Sequence, residues 1–240
     1  MTRSLSKVTI GATAGDAVAN SLLAGLSRED YQSLLGELEP VTLTSGEVLY
    51  EPGERIRHVY FPNDGQVSLL MVMTDRKALE VGLVGREGMV GIPLVLGVEA
   101  SPVRALVQGS GSALRMKAAG FHAAFGRLLP LQHELYRYVY AKLTQARQTA
   151  ACNRFHQVEA RLARWLLLTG DRVRSDQFHL THEFLADTLG IRRVGVTNAA
   201  SALRQRKLIS YRRGNIRILD RKGLRAAACA CYDIVRSLAS

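Results

Sequence analysis

The stretch that decides the fold is His179–Leu203, HLTHEFLADTLGIRRVGVTNAASAL. Thr181 is placed to cap a helix that starts at His182, with Glu183 in the first turn, where the positive end of the helix dipole favours an acid. Phe184, Leu185 and Leu189 recur at helical spacing and supply an apolar face. Gly190 stops this helix, because the left-handed backbone that closes it suits glycine. A second helix is predicted from about Arg192 to Arg206, with Val196, Ala199, Ala200 and Leu203 turned inward. Two short helices, a tight turn and a small residue where they approach (Ala186) have the spacing of a helix-turn-helix.

The outer face of the second helix carries Arg192, Arg193, Thr197, Asn198 and Arg204. Arginine can grip guanine O6/N7 with two hydrogen bonds and asparagine can do the same to adenine, while threonine and further arginines suit phosphates. Leu208–Tyr211 and Ile216–Leu219 read as two strands joined by Arg212-Arg213-Gly214-Asn215, a hairpin with a cationic tip. Between Asp187 and Asp220 there are eight basic residues and no acid. A merely solvated charged face would interleave acids, so this segment points to double-stranded DNA. The residues expected at the DNA are Thr181, Arg192, Arg193, Thr197, Asn198, Arg204, Arg212 and Arg213.

The rest of the chain agrees with that polarity. It has 240 residues and a net charge of +11. Residues 1–130 hold 12 basic and 13 acidic residues, whereas residues 131–240 hold 20 basic and 8 acidic. All of the excess positive charge therefore sits in the second half, so one half meets a polyanion and the other does something else. No run free of charge is longer than Gly88–Val98, far short of the roughly 20 apolar residues that span a bilayer. Arg3 and Lys7 are followed by Val8–Gly15, diluted by Thr and Gly, so no signal peptide is expected. Three cysteines, Cys152, Cys229 and Cys231, are too few for a disulfide framework, which suits a reducing cytoplasm.

Residues 1–19 read as a loose tail, and apolar residues from Leu22 to Leu38 fit short helices, with Ser27 as a helix start. Residues 41–116 change character. Val48–Tyr50, Val59–Phe61, Val67–Met73, Leu79–Val84, Val103–Val107 and Ala113–Met116 are short apolar or alternating runs. Turn signals such as Pro62-Asn63-Asp64-Gly65 separate them, which predicts an antiparallel roll, barrel or sandwich. Residues 131–157 contain neither Gly nor Pro. Leu131, Leu135, Val139, Leu143, Ala146 and Ala150 draw one stripe along a helix about 40 Å long. Such a helix can join two domains and pair with its own copy, or it can lie along the roll. Another helix follows over residues 158–170, with Gly170 as its stop. The fold class is therefore α+β, with an antiparallel β-roll over 20–130, a long helix over 131–157 and a winged helix-turn-helix over 158–240.

From about Leu22 to Asp220 the chain resembles the Crp/Fnr family of bacterial transcription regulators. In the first half the matching residues are Ser45-Gly46-Glu47, Leu49-Tyr50, Gly53-Glu54, Val59-Tyr60 and Gly65, similar to the β-roll of cyclic-nucleotide-binding domains. In the second half they are Leu180-Thr181, Leu185-Ala186, Leu189-Gly190-Ile191-Arg192-Arg193 and Val196-Thr197. The resemblance implies a jelly-roll-type sensor, a dimerisation helix and a winged helix-turn-helix acting as a homodimer on two-fold symmetric DNA. It also implies RNA polymerase as a partner, and no membrane.

The departures narrow the expectation. Cyclic-AMP-binding relatives carry Gly-Glu and then Arg followed by Ser or Thr. Here Gly91 is followed by Ile92, and Arg104 by Ala105, with Ser101 nearby. A buried phosphate without its partners costs several kcal/mol, so cyclic AMP is not the expected ligand. Gly91, Ile92, Ser101 and Arg104 mark where another small ligand would sit. Val194 and Asn198 replace a Glu and a second Arg of the cyclic-AMP-type recognition helix, so the target site should differ.

Residues 1–151 contain no cysteine, so the clustered N-terminal thiolates of iron–sulfur relatives are missing and no such cluster is expected. Cys229 and Cys231, two apart in an expected helix, would point about 200° away from each other and make poor metal partners. Cys152 reads as a small apolar helix residue, or as a thiol facing its copy. His58, His122, His133, His156 and His179 are scattered, and His182-Glu183 lacks the second His of a zinc-protease helix. No metal site or catalytic constellation is expected, and the chain does not read as an enzyme. Two other functions fit the residues: a constitutive DNA-binding regulator with a vestigial sensor, and a cyclic-nucleotide-binding module acting on protein partners.

Overall fold

The computed structural model describes residues 19–73, 78–173, 175–212 and 214–238. Apart from Ala19, the tail read at 1–19 lies outside them. Two short helices, α1 (Ser21–Ala24) and α2 (Arg28–Leu34), open the fold. Both are capped by side chains: Asn20 Oδ1 accepts from Leu23 N at 3.3 Å and Ser27 Oγ from Asp30 N at 3.1 Å.

Seven strands follow: β1 (Glu39–Leu43), β2 (Val48–Tyr50), β3 (His58–Pro62), β4 (Gln66–Val72), β5 (Ala78–Val84), β6 (Arg104–Gly109) and β7 (Gly111–Lys117). They form two antiparallel sheets, ordered β1-β7-β3 and β2-β6-β4-β5. This is the expected roll. Alternation decides which side chains enter it: in β6, Ala105 and Val107 are buried while their neighbours are half-exposed. Strand β1 is not legible as an alternating run, because Pro40 interrupts it. Proline is tolerated there because β1 is an edge strand, paired only with β7. Helix α3 (Ala118–Arg127), also unanticipated, sends Phe121 and Ala124 into the roll core.

The long helix α4 spans Leu129–Phe155, two residues earlier at each end than the sequence reading. Pro130 lies in its first turn, where the missing N–H costs no helical hydrogen bond. Its apolar stripe divides in two. Leu131 and Leu135 are fully buried in the roll core, joined by Tyr138. Leu143, Ala146 and Ala150 are exposed, as are Tyr136 and Tyr140. Gly88 makes the seating of α4 possible: a Cβ there would stand 2.1 Å from Tyr138 Oη. The Tyr138 hydroxyl donates to Met89 O at 3.3 Å.

Helix α5 (Val158–Val173) does not stop at Gly170. A Cβ at Gly170 would come within 3.1 Å of Ser175 O and of Arg221 Nη1, so this glycine serves close packing inside the helix. The second half continues with β8 (Gln177–His179), α6 (His182–Leu189), α7 (Arg193–Gln205), β9 (Ile209–Arg212), β10 (Asn215–Ile218), α8 (Arg221–Ala227) and α9 (Cys231–Ser237). Its core gathers Leu162, Leu166, Leu185, Val196, Leu203 and Leu224. The wing is a three-stranded sheet, β8-β10-β9. Strand β8 escaped the sequence reading because it is three residues long and buries only Phe178.

Buried polar contacts lock the two halves together. Arg172 Nε of α5 donates to Glu87 Oε1 of the roll at 2.9 Å, and Lys142 Nζ of α4 lies 3.5 Å from the same oxygen. Lys142 also donates to Leu83 O at 2.7 Å. Trp165 Nε1 donates to Glu80 Oε1 at 2.9 Å, and Ser68 Oγ to Glu80 Oε2 at 2.7 Å. Burial alone would raise the Glu87 carboxyl, but Arg172 and Lys142 prevail and hold it at about 2. For Glu80 burial wins, and its carboxyl is raised.

Burial lowers the Lys142 ammonium, against the pull of Glu87, from 10.5 to about 8. Between those values the unfolded chain binds a proton that the folded chain has released, so stability rises with pH from about 8 to 10.5. Lys142→Met should abolish that rise, as urea unfolding of both proteins across this range will show. An equal rise in the variant would assign the titration to another group.

Candidate nucleic-acid interface

Helix α6 begins where the sequence places it. Thr181 Oγ1 accepts from Phe184 N at 3.1 Å as the cap. Gly190 ends it in the left-handed conformation, φ +63. Ile191 N then donates to Ala186 O at 3.0 Å, closing the turn. Helix α7 starts at Arg193, with Arg192 as its N-cap residue. Val196, Ala199, Ala200 and Leu203 are buried, which fixes the opposite face outward.

That face brings together most of the residues expected at DNA. Arg192, Arg193, Thr197, Asn198 and Arg204 are exposed along α7, as is Arg212 on the wing. Thr181 is exposed too, but its hydroxyl is engaged as a cap. Arg213 lies outside the described residues. Arg217 is exposed on β10, and Arg206 is turned aside onto Glu159, 2.7 Å away.

Two residues of this face were missed. The rings of His182 and Tyr211 stack at 4.5 Å and 9°, joining the start of α6 to the wing. Tyr211 Oη donates to Leu180 O at 3.2 Å, and Thr197 Oγ1 lies 3.0 Å from His182 Nδ1. Thr197 also donates to Arg193 O at 3.1 Å. Its hydroxyl is thus already occupied, with less to offer a phosphate than its exposure suggests. Burial and the charge of Arg193 both hold the His182 imidazole below its usual value. The one available signal was the aromatic Tyr211 next to the basic tip, 29 positions from His182.

Comparison with known proteins fits this geometry. A family model described as a Crp-like helix-turn-helix domain matches residues 160–227, and one described as a cyclic nucleotide-binding domain matches residues 40–127. The chain belongs to the Crp/Fnr family. Its members are transcription regulators, and this one carries their helix-turn-helix DNA-binding domain. It is similar in fold to a Crp/Fnr regulator from Eubacterium rectale, with TM-score 0.69, 15% identity, 87% of this chain and 98% of that one covered. A Crp/Fnr regulator from Thermus thermophilus aligns with TM-score 0.66 and 23% identity over 79% of this chain and 98% of its own. FixK2 from Bradyrhizobium japonicum gives 0.65 and 17% over 80% and 98%. No curated protein matches. Among the described residues no helix is long and apolar enough to cross a membrane.

In this Crp/Fnr chain the residues expected at a roll ligand have other duties. Arg104 Nε donates to Glu51 Oε2 at 2.8 Å. Buried Ser101 donates from Oγ to Val103 O at 3.0 Å. Gly91 turns with φ +110 against Val59, and Ile92 opens a 3-10 turn, Ile92–Leu96.

The cysteines depart from the expected arrangement. Cys229 precedes α9 and Cys231 is its first residue, so the two do not share a helix that would turn them apart. Cys152 is fully buried, with its Sγ 3.6 Å from Cys229 Sγ, and faces its own C-terminal segment. His156 joins them rather than standing isolated: the four ligand atoms lie within 4.8 Å of one another.

A Cβ on Gly190 would meet left-handed strain and Leu79 Cδ1 of the roll at 2.8 Å. Gly190→Ala should therefore cost about 1–3 kcal/mol. Chemical denaturation of the purified protein measures it, and an unchanged midpoint would mean that both the turn and the Leu79 contact yield freely.

Proposed function

We propose that the chain is a homodimeric, sequence-specific DNA-binding regulator whose roll senses a signal and sets the geometry of its two recognition helices. The observation that carries this reading is the exposed, acid-free face of α7 and the wing. Each subunit lays α7 in a major groove, with half-sites about 34 Å apart along the duplex. Arg193 and Asn198 read base edges, while Arg192, Arg204, Arg212 and Arg213 hold phosphates and make affinity salt-dependent. The regulator then works on transcription with RNA polymerase as its partner.

The exposed side of α4 supports the dimer. Tyr136, Tyr140, Leu143, Arg147 and Ala150 follow one another at four- and three-residue steps, the spacing of a coiled-coil seam. Tyr136 is 51% exposed, Tyr140 65% and Leu143 47%, an apolar load that a second copy of α4 would cover. Sensing is supported by a groove of about 730 Å³ that opens onto Glu87, Lys142 and Arg172; Tyr136 and Tyr140 also line it, so the second copy of α4 would form part of its wall. The pairing of Arg104 with Glu51 argues against cyclic AMP, since a cyclic phosphate would have to displace a carboxylate.

Selection from a random duplex library at moderate salt, with no added ligand, tests the function. Enrichment of a two-fold symmetric sequence is expected if the ligand-free form is competent; no retention of DNA even at low salt would sink the reading. Arg193→Ala should cost about 1–3 kcal/mol at one base position if it grips guanine. A uniform loss over all sequences would reassign it to phosphate. Leu143→Asp should shift the sedimentation of the protein from dimer to monomer, and a dimer unmoved by it would place the interface elsewhere.

A further inference from the structure

We infer that Cys152, His156, Cys229 and Cys231 form a binding site for a single zinc ion. The three cysteines are buried as a group of their own, apart from both cores, and Ala160 is the one hydrophobic residue packed against them among the described residues. Three thiols and one methyl group make a poor hydrophobic core, so burial of apolar surface does not explain the cluster. Three sulfurs and an imidazole are instead a donor set that closes a tetrahedral zinc site.

The spacing selects a mononuclear ion. Tetrahedral ligands at about 2.3 Å from zinc stand about 3.8 Å from one another. Cys152 Sγ and Cys229 Sγ are 3.6 Å apart, and Cys231 Sγ and His156 Nδ1 3.5 Å. All four donor atoms fall within 4.8 Å, so closing on one ion needs small side-chain movements. An iron–sulfur cluster would hold its ligands farther apart, because irons and sulfides lie between them.

Local structure explains the convergence. Cys152 and His156 are four residues apart at the end of α4, hence on one face of the helix. His156 is its C-cap and exposed, leaving an entry route for the ion. Cys229 and Cys231 flank Ala230 in the tight turn that starts α9, where Tyr232 N donates to Cys229 O at 3.0 Å. Gln148 Nε2 donates to Cys231 Sγ at 3.0 Å, the kind of outer contact that orients a ligating thiolate. With three thiolates and a neutral imidazole the zinc site carries one net negative charge. Arg164, buried and within electrostatic reach of Cys152 and Cys229, supplies the balancing positive one. Its Nε has no hydrogen-bond partner among the described residues. On binding, the thiol protons leave to solvent.

The test is a titration of the reduced, chelator-treated full-length protein with Co²⁺ under anaerobic conditions. One cobalt per chain is expected, with a thiolate-to-cobalt charge-transfer band and the visible bands of tetrahedral cobalt, all bleached by added zinc. Cys229→Ser should weaken zinc at least tenfold. His156→Gln changes an exposed residue, so it should do the same while leaving the apo protein's melting temperature unchanged. Zinc should raise that temperature in the wild type and much less in either variant. Absence of thiolate–cobalt bands in the wild type would overturn the site, as would full zinc affinity in both variants. So would isolation, under anaerobic handling without added reductant, of a Cys152–Cys229 disulfide in a metal-free protein that zinc does not bind.

Discussion

The fold turns on one buried carboxylate. Glu87 leaves the roll and meets Arg172 of α5 and Lys142 of α4, so three separate segments close on one carboxylate oxygen. Each charge alone would be costly to bury, and removing one partner of such a group typically destabilises by about 3–5 kcal/mol. The arrangement therefore fixes relative position rather than merely adding attraction. Around it the Trp165–Glu80 contact, the seating of Tyr138 over Gly88 and the contact of Leu79 with Gly190 all repeat the same geometry. Helices α5 and α6 are thus registered against the roll, and α7 packs on both of them.

Much of this was legible in the residues because local and global demands agree. The cap Thr181, the stop Gly190 and the inward row Val196, Ala199, Ala200 and Leu203 each follow from backbone chemistry, and together they leave one orientation for the helix pair. The roll was legible through its alternating strands and turn signals. What escaped was set by distant partners. Edge strand β1 tolerates Pro40 only because β7 pairs it on one side, and β8 exists because β10 is there to receive three residues. Gly170 reads as a stop, yet Ser175 and Arg221 crowd its Cα and the helix runs on.

The division of the α4 stripe shows the same limit. Periodicity correctly finds a helix but cannot say which neighbour covers each apolar position. Leu131 and Leu135 look like Leu143 in sequence, yet the first two belong to the roll and the third to the exposed side. The four-residue Cys/His group was harder still. Cys152 and Cys229 are separated by 77 positions, and nothing local links them. Only the return of the chain after the wing to the end of α4 does so.

The outer strand of the four-stranded sheet has a further consequence. Among the described residues β5 pairs with β4 alone, and α6 from the DNA-binding half packs against it. An unpaired strand edge is a template for joining other chains, and proteins commonly shield such edges. Here the shield is borrowed from the neighbouring domain. A chain cut after α4 would bare that edge together with the carboxylates of Glu80 and Glu87, stripped of Trp165 and Arg172. The packing of α6 on β5 thus joins the two halves at a second place, beside the buried contacts of Glu87.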